Sequence, residues 1–199
     1  MELKFSQDQA KWFCNLPDYQ LFCLLKEATK LYRIVSQPAL DNEAVRGLIP
    51  DMAELLNRVM QWKPGPSSAS APYNAFVAEV NEIWRQGLLC FIYADICALP
   101  SSDQRVRECV QQGMRALKGL SWMQSIMWPI FMISVHALAE ADRQLVESTC
   151  NNMMAMVSFA TPLTIISFLR QVWADMDATG KSRWRTIMIE SGIQINLVL

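Results

Sequence analysis

The stretch Ile126-Met127-Trp128-Pro129-Ile130-Phe131-Met132-Ile133-Ser134-Val135-His136-Ala137-Leu138-Ala139 contains no Asp, Glu, Lys or Arg. It sits inside a longer uncharged run from Gly119 to Ala139, and a second such run covers Ser148 to Leu169. A membrane-spanning helix needs about 20 predominantly apolar residues. Gln124, Pro129 and His136 interrupt the first run, and Asn151, Asn152, Thr161, Pro162 and Thr164 the second. Both therefore read as core helices buried in protein rather than in lipid, with no membrane span. A chain that must bury such segments needs other helices around them.

Those helices are legible on both sides. Downstream, Asp142 to about Phe159 forms one helix, and Thr161-Pro162 opens another through Trp173. Asp177-Ala178-Thr179-Gly180 is a turn, and a last helix runs from about Ser182 with Trp184, Ile187, Met188 and Ile195 as anchors. Upstream, Leu99-Pro100 ends a long helix from Asn74 to Ala98, because the residue before proline resists the α conformation. Leu88 to Cys97 of that helix is apolar nearly all round apart from Asp95, which places it centrally. Ser101-x-x-Gln104 has the form of a capping box, followed by Val106, Val110, Met114 and Leu117 at helical spacing.

The first strong helix opens at Pro17-Asp18 and stops before Gln37-Pro38; Asp41-Asn42 and Pro50-Asp51 each start another. Lys63 to Pro72 is rich in Pro, Ser, Ala and Gly and reads as a flexible loop. No strand pattern competes. The expected fold is all-α, a single compact bundle of about eight helices joined by short connections. Its expected organisation is an N-terminal helical part (1–62), the loop (63–72) and a main helical body (73–199), forming one continuous domain.

Composition narrows the function. Apolar residues make up 52% of the 199, enough for a sizeable core, while charged residues are only 19%, leaving apolar surface for a ligand or partner. The net charge is −1, without the basic excess from which nucleic-acid binders draw most of their affinity. The densest basic cluster, Lys181, Arg183 and Arg185 beside Trp184, reads as a solvated helix face. The six cysteines, Cys14, Cys23, Cys90, Cys97, Cys109 and Cys150, lack C-x-x-C spacing. With a single histidine, they give no metal set, and no cofactor is expected. Five of them lie in apolar helical contexts and read as small hydrophobes, in a reducing, intracellular protein. The Met1-Glu2-Leu3-Lys4-Phe5-Ser6 start has no secretory pattern. No G-x-x-x-x-G-K-[ST], G-x-G-x-x-G or G-x-S-x-G is present, which removes support for nucleotide-dependent and nucleophile-elbow chemistry.

Two features can carry chemistry. His136 lies four residues before Glu140, so in one helix the two share a face. A histidine oriented by a carboxylate is a candidate catalytic acid or base; the alternative is a hydrogen-bonded structural histidine. Trp84, Trp122, Trp128, Phe131 and Met132 are candidates for the lining of an apolar small-molecule pocket. Equally, they are what an ordinary core is filled with.

Met127-Trp128-Pro129-Ile130-Phe131, then Ala137 and Ala141-Asp142-Arg143, resembles the tryptophan-proline helix of the fungal-specific transcription factor domain. Val172-Trp173-Ala174-Asp175-Met176-Asp177 and Trp184-Arg185-Thr186-Ile187-Met188 are similar to that family's closing helices. The resemblance covers about Val77 to Leu199. It implies an all-α fold, a fungal source and a role in regulating transcription, often beside metabolic gene clusters. The zinc-cluster DNA-binding module that precedes this domain in the family is missing, so this chain alone is not expected to bind DNA. Ser134, Val135 and His136 depart from the small and acidic residues the family commonly carries there, which marks an altered pocket.

Two functions follow. The first is a regulatory or ligand-binding protein of this family, acting on an apolar small molecule or a protein partner, as a homodimer in one form, and placed in the nucleus. The second is a cofactor-free cyclase of secondary metabolism, placed in the cytoplasm. It would hold an apolar intermediate in a reactive fold and add His136 electrostatics.

Overall fold

The computed structural model describes residues 16–65, 71–120, 126–157 and 161–193. Every regular element among these residues is helical: α1 (Tyr19–Val35), α2 (Asn42–Gly47), α3 (Ile49–Gln61), α4 (Ala71–Cys90), α5 (Gln104–Gly119), α6 (Met127–Ser134), α7 (Glu140–Val157), α8 (Thr161–Thr179) and α9 (Trp184–Ser191). A π-helical segment, Phe91–Ile96, continues α4. The all-α bundle expected from the sequence is the fold.

α4 is the axis. It packs chiefly against α5 and α6, while α7 pairs with α8. The uncharged run that reads as core is core: Ile130, Phe131, Met132, Ile133 and Val135 are buried, and Phe131 and Val135 fully so. α6 comes so close to α4 that a Cβ on Gly87 would lie 2.7 Å from Pro129 Cα and Cβ. Only glycine lets the two backbones meet at this distance.

The start of α1 is tied in by polar contacts. The Asp18 carboxylate caps the helix through Gln20 N–H at 2.8 Å and accepts from the Trp62 indole at 3.4 Å. The Asp18 N–H donates to Asn81 Oδ1 at 2.9 Å, so one residue joins the ends of α1 and α3 to α4. The hydrophobic core is one contiguous cluster running from Leu21 in α1 to Trp184 in α9.

Several boundaries differ from the expected ones, for local reasons. The long helix does not stay α-helical to Ala98. Cys97 N–H bonds Ile92 O at 2.9 Å and Leu99 N–H bonds Tyr93 O at 3.0 Å, a wider closure than the α-helical one. Ala98 then takes φ 55°, in the left-handed region that glycine usually occupies. α6 stops at Ser134 instead of reaching Ala139, and the chain turns through Val135 and His136. α8 runs past Trp173 to Thr179 and ends where Gly180 adopts φ 72°. The Ser101-x-x-Gln104 capping box does not form. Asp103 is the N-cap of α5, accepting from Arg105 N–H at 2.9 Å, and Ser101 is committed elsewhere. Among the described residues, no helix is long and apolar enough to cross a membrane.

Candidate functional site

The early end of α6 is what creates the site. Because the chain turns at Val135, His136 leaves the helix and points its ring towards the loop after α4, not along the face that Glu140 would share. Its Nδ1 lies 2.9 Å from Ser101 Oγ. Glu140 is exposed and accepts from Gln144 instead, so the expected histidine–carboxylate pair is replaced by a histidine–serine pair. The side of the ring carrying Nε2 is buried and has no hydrogen-bond partner.

Asp95, the lone charge that the apolar half of the long helix carries, stands on the π-helical segment nearby. Its Oδ1 accepts from Arg185 Nε at 2.7 Å, and its buried Oδ2 closes no hydrogen bond. Arg185 is itself held between aromatic rings, 4.1 Å from the Tyr32 centroid and 4.0 Å from that of Trp184. Within the basic cluster, Lys181 and Arg183 are exposed, as a solvated face would have them, and only Arg185 is drawn inward. Arg183 pairs with Asp175, and Arg185 fastens α9 to the π-helical segment and α1.

Burial sets the electrostatics. His136 is pushed down from 6.5 to about 4, first by desolvation and then by the positive charge of Arg185, so the ring is neutral at pH 7. Asp95 is raised by burial, against the pull of Arg185 and of the Trp184 indole N–H. Thiol chemistry has no support here. Cys90 is raised, first by its contact with Cys109 and then by burial, and Cys150 is pushed up by burial to about 12.

Two recesses meet at His136. The larger, about 410 Å³, is walled by Ala94, Asp95, Ala98, Leu99, Pro100, Ser101, His136, Lys181, Ser182 and Trp184. The smaller, about 260 Å³, is walled by Arg107, Val110, Gln111, His136, Leu138, Ala139 and Asp142. Ser182 Oγ donates to Val135 O at 2.6 Å and so pins the loop before α9 against the turn that carries His136.

The aromatic candidates are placed otherwise. Trp84 stacks on Trp128 with centroids 5.3 Å apart, while Phe131 stacks on Phe168 at 5.8 Å and meets the edge of Trp184 at 5.3 Å. Met132 is fully buried. None of these four lines either recess. Trp122 lies outside the described residues. Among the described residues, no three His, Cys, Asp or Glu side chains gather as a metal site. Sequence reasoning missed Ser101 and Arg185, and the only signal for Asp95 was its isolation among apolar neighbours.

The described residues thus form an all-helical body in which a turn-borne histidine borders two recesses. The chain belongs to the fungal-specific transcription factor domain family, whose model matches residues 17–198. The match extends well upstream of Val77, so the first helices belong to the family's pattern too. Among curated proteins and solved structures, nothing matches the chain.

Proposed function

We propose that the chain is an effector-responsive regulatory domain of transcription control, acting in the nucleus through contacts other than with DNA. Family membership supports the regulatory part. The observation that carries the effector part is the recess whose wall contains both Asp95 and His136, each with a buried polar atom left without a partner. Leaving such an atom unpaired costs about 1–3 kcal/mol, and native proteins keep few of them. The balanced charge of −1 agrees with the absence of a DNA-reading role for this chain alone. Cyclase chemistry needs its aromatic groups around an open cavity. Trp84 and Trp128 stack on each other and Phe131 stacks on Phe168 instead, so the regulatory reading takes precedence.

The test is a reporter assay with the whole chain fused to an unrelated DNA-binding module. Ala94→Phe, which fills the larger recess from its rim, is expected to change reporter output several-fold at equal protein level. Unchanged output would sink the effector reading. Binding of the unfused chain to random duplex DNA in low salt would sink the statement that it acts without touching DNA.

A further inference from the structure

We infer that the outward face of α5, together with the smaller recess beside its N-terminal half, is a docking surface for an acidic segment of a partner protein that carries one apolar anchor. The inference rests on the regulatory reading only for its biological use. The surface itself follows from how α5 distributes its charges.

α5 turns Val106, Cys109, Val110, Gly113, Met114 and Leu117 inward. Arg107, Gln111, Arg115 and Lys118 are exposed. At 3.6 residues per turn, these four fall within about 80° of one another and extend along about 16 Å of the helix. Among the described residues, none of the three cations meets a carboxylate, whereas the arginines of α3, α4, α7, α8 and α9 all do. Glu108, the only acid of α5, accepts from Gln104 at 2.7 Å and leaves the row uncompensated.

Arg107 stands where its own helix gains nothing from it. It closes the first turn of α5, where the helix dipole disfavours a cation. Arg105, earlier in that turn, is offset by the N-cap Asp103, and Arg107 is not. On the other wall of the recess, Asp142 stands in the first turn of α7, where the dipole favours an acid. Asp142 thus serves its own helix, and Arg107 is left for a partner.

The recess supplies the apolar half of the surface. At about 260 Å³ it is smaller than ligand sites usually are, yet it has room for one large side chain. Val110 lines it from α5, and Leu138, 44% exposed, from the turn before α7. An apolar anchor gives such a contact its hold, and the row of cations gives it register and choice of partner.

The acid must come from outside this chain. Beyond the described residues, the side chains of 1–15 sum to zero charge, and 66–70, 121–125, 158–160 and 194–199 carry none. Duplex DNA fits worse than a short acidic segment. Its phosphates would run on over the acids Glu140 and Asp142 at the start of α7, and a net charge of −1 offers no general attraction.

The probe is a fluorescent helical peptide bearing three glutamates at i, i+4 and i+8 and one leucine beyond them, titrated with the purified full chain. Removing the three cations together (Arg107→Gln, Arg115→Gln, Lys118→Gln) is expected to weaken binding about tenfold, the combined effect of three exposed ion pairs. Removing as many exposed charges from α1 (Lys26→Gln, Lys30→Gln, Arg33→Gln) should change affinity by less than about twofold, because screening confines exposed charges to near neighbours. Leu138→Asp should weaken binding several-fold, and so should a peptide with alanine in place of its leucine. All these positions are exposed, so unfolding midpoints should stay near the wild-type value. No binding of the peptide, equal losses from the α5 and α1 variants, or tighter binding of random duplex DNA than of the peptide would each overturn the inference. So would a dimer of the chain that the α5 variant dissociates, since the face would then belong to a second copy. If any of these occurs while the reporter still responds to Ala94→Phe, this inference alone fails. If the peptide binds as expected and the reporter is unresponsive, the effector reading alone fails.

Discussion

At His136 the decisive quantity is a proton the folded chain refuses. Its pKa falls from 6.5 to about 4 on burial, so as pH drops through 6.5 the unfolded chain takes up a proton that the native chain does not. Stability is therefore full above about pH 6.5, declines as pH falls, and stops declining from this source near pH 4. The size is roughly 3 kcal/mol, from 1.4 kcal/mol per pKa unit. Asp95, with its raised pKa, works in the opposite direction at the acid end of that window. Thermal midpoints between about pH 7 and about pH 5, where ordinary carboxylates stay ionised, should fall for the wild type and stay nearly flat for His136→Asn. Parallel slopes would refute the assignment. Arg143 gives a second test. Nη1 and Nη2 grip Asp177 at 2.7 Å each, Nε bonds Ala137 O at 3.1 Å, and the guanidinium lies over Trp173. Arg143→Ala should cost about 2 kcal/mol by chemical denaturation, since charged hydrogen bonds are worth about 1.5–3 kcal/mol each but Asp177 is largely solvated. The sequence marked His136 as unusual, yet not its partners. Pairing it with Glu140 assumed that α6 continued, and no glycine or proline near Val135 announces the turn. The Arg185–Asp95 pair joins residues too far apart in sequence for local spacing to reveal.

At the scale of elements, hydrophobic periodicity located most of the helices because burial, not propensity, decides which face points inward, while α2 was marked by its Asp41-Asn42 start and α6 by its lack of charge. Ends were harder, since they depend on backbone closure that composition barely encodes. α4 widens to a π-helical closure with no proline to signal it, and α8 continues through polar residues to Gly180. The α4–α6 crossing makes a sharp prediction. Gly87→Ala places a Cβ 2.7 Å from the Pro129 backbone, which cannot swing aside, and should destabilise by about 1–3 kcal/mol. A smaller denaturant midpoint with an unchanged slope is the expected result. Ala98→Gly should act in the reverse sense. The left-handed backbone costs alanine about 1–2 kcal/mol, and relief of that cost exceeds the added freedom of the unfolded glycine. A gain of up to about 1 kcal/mol is expected, read from the same denaturation curves.

For the whole molecule, one core cluster joins the first described helix to the last. We therefore expect far-ultraviolet dichroism and tryptophan fluorescence to report a single shared unfolding transition. Two separate midpoints would divide the N-terminal helices from the rest and argue against one continuous domain. The fold class was readable because so apolar a chain, carrying two uncharged runs and no alternating pattern, has few ways to hide them except helix on helix. The recess was not readable, because its wall is drawn from three distant parts of the chain. One further property follows from His136 standing in the walls of both recesses. If each recess took an occupant, one that turned the imidazole on one side would alter the other. Thermodynamic linkage makes such an influence mutual: whatever factor one guest imposes on the other's affinity is returned in full. A single side chain thus borders both cavities, and any coupling between them would run through it.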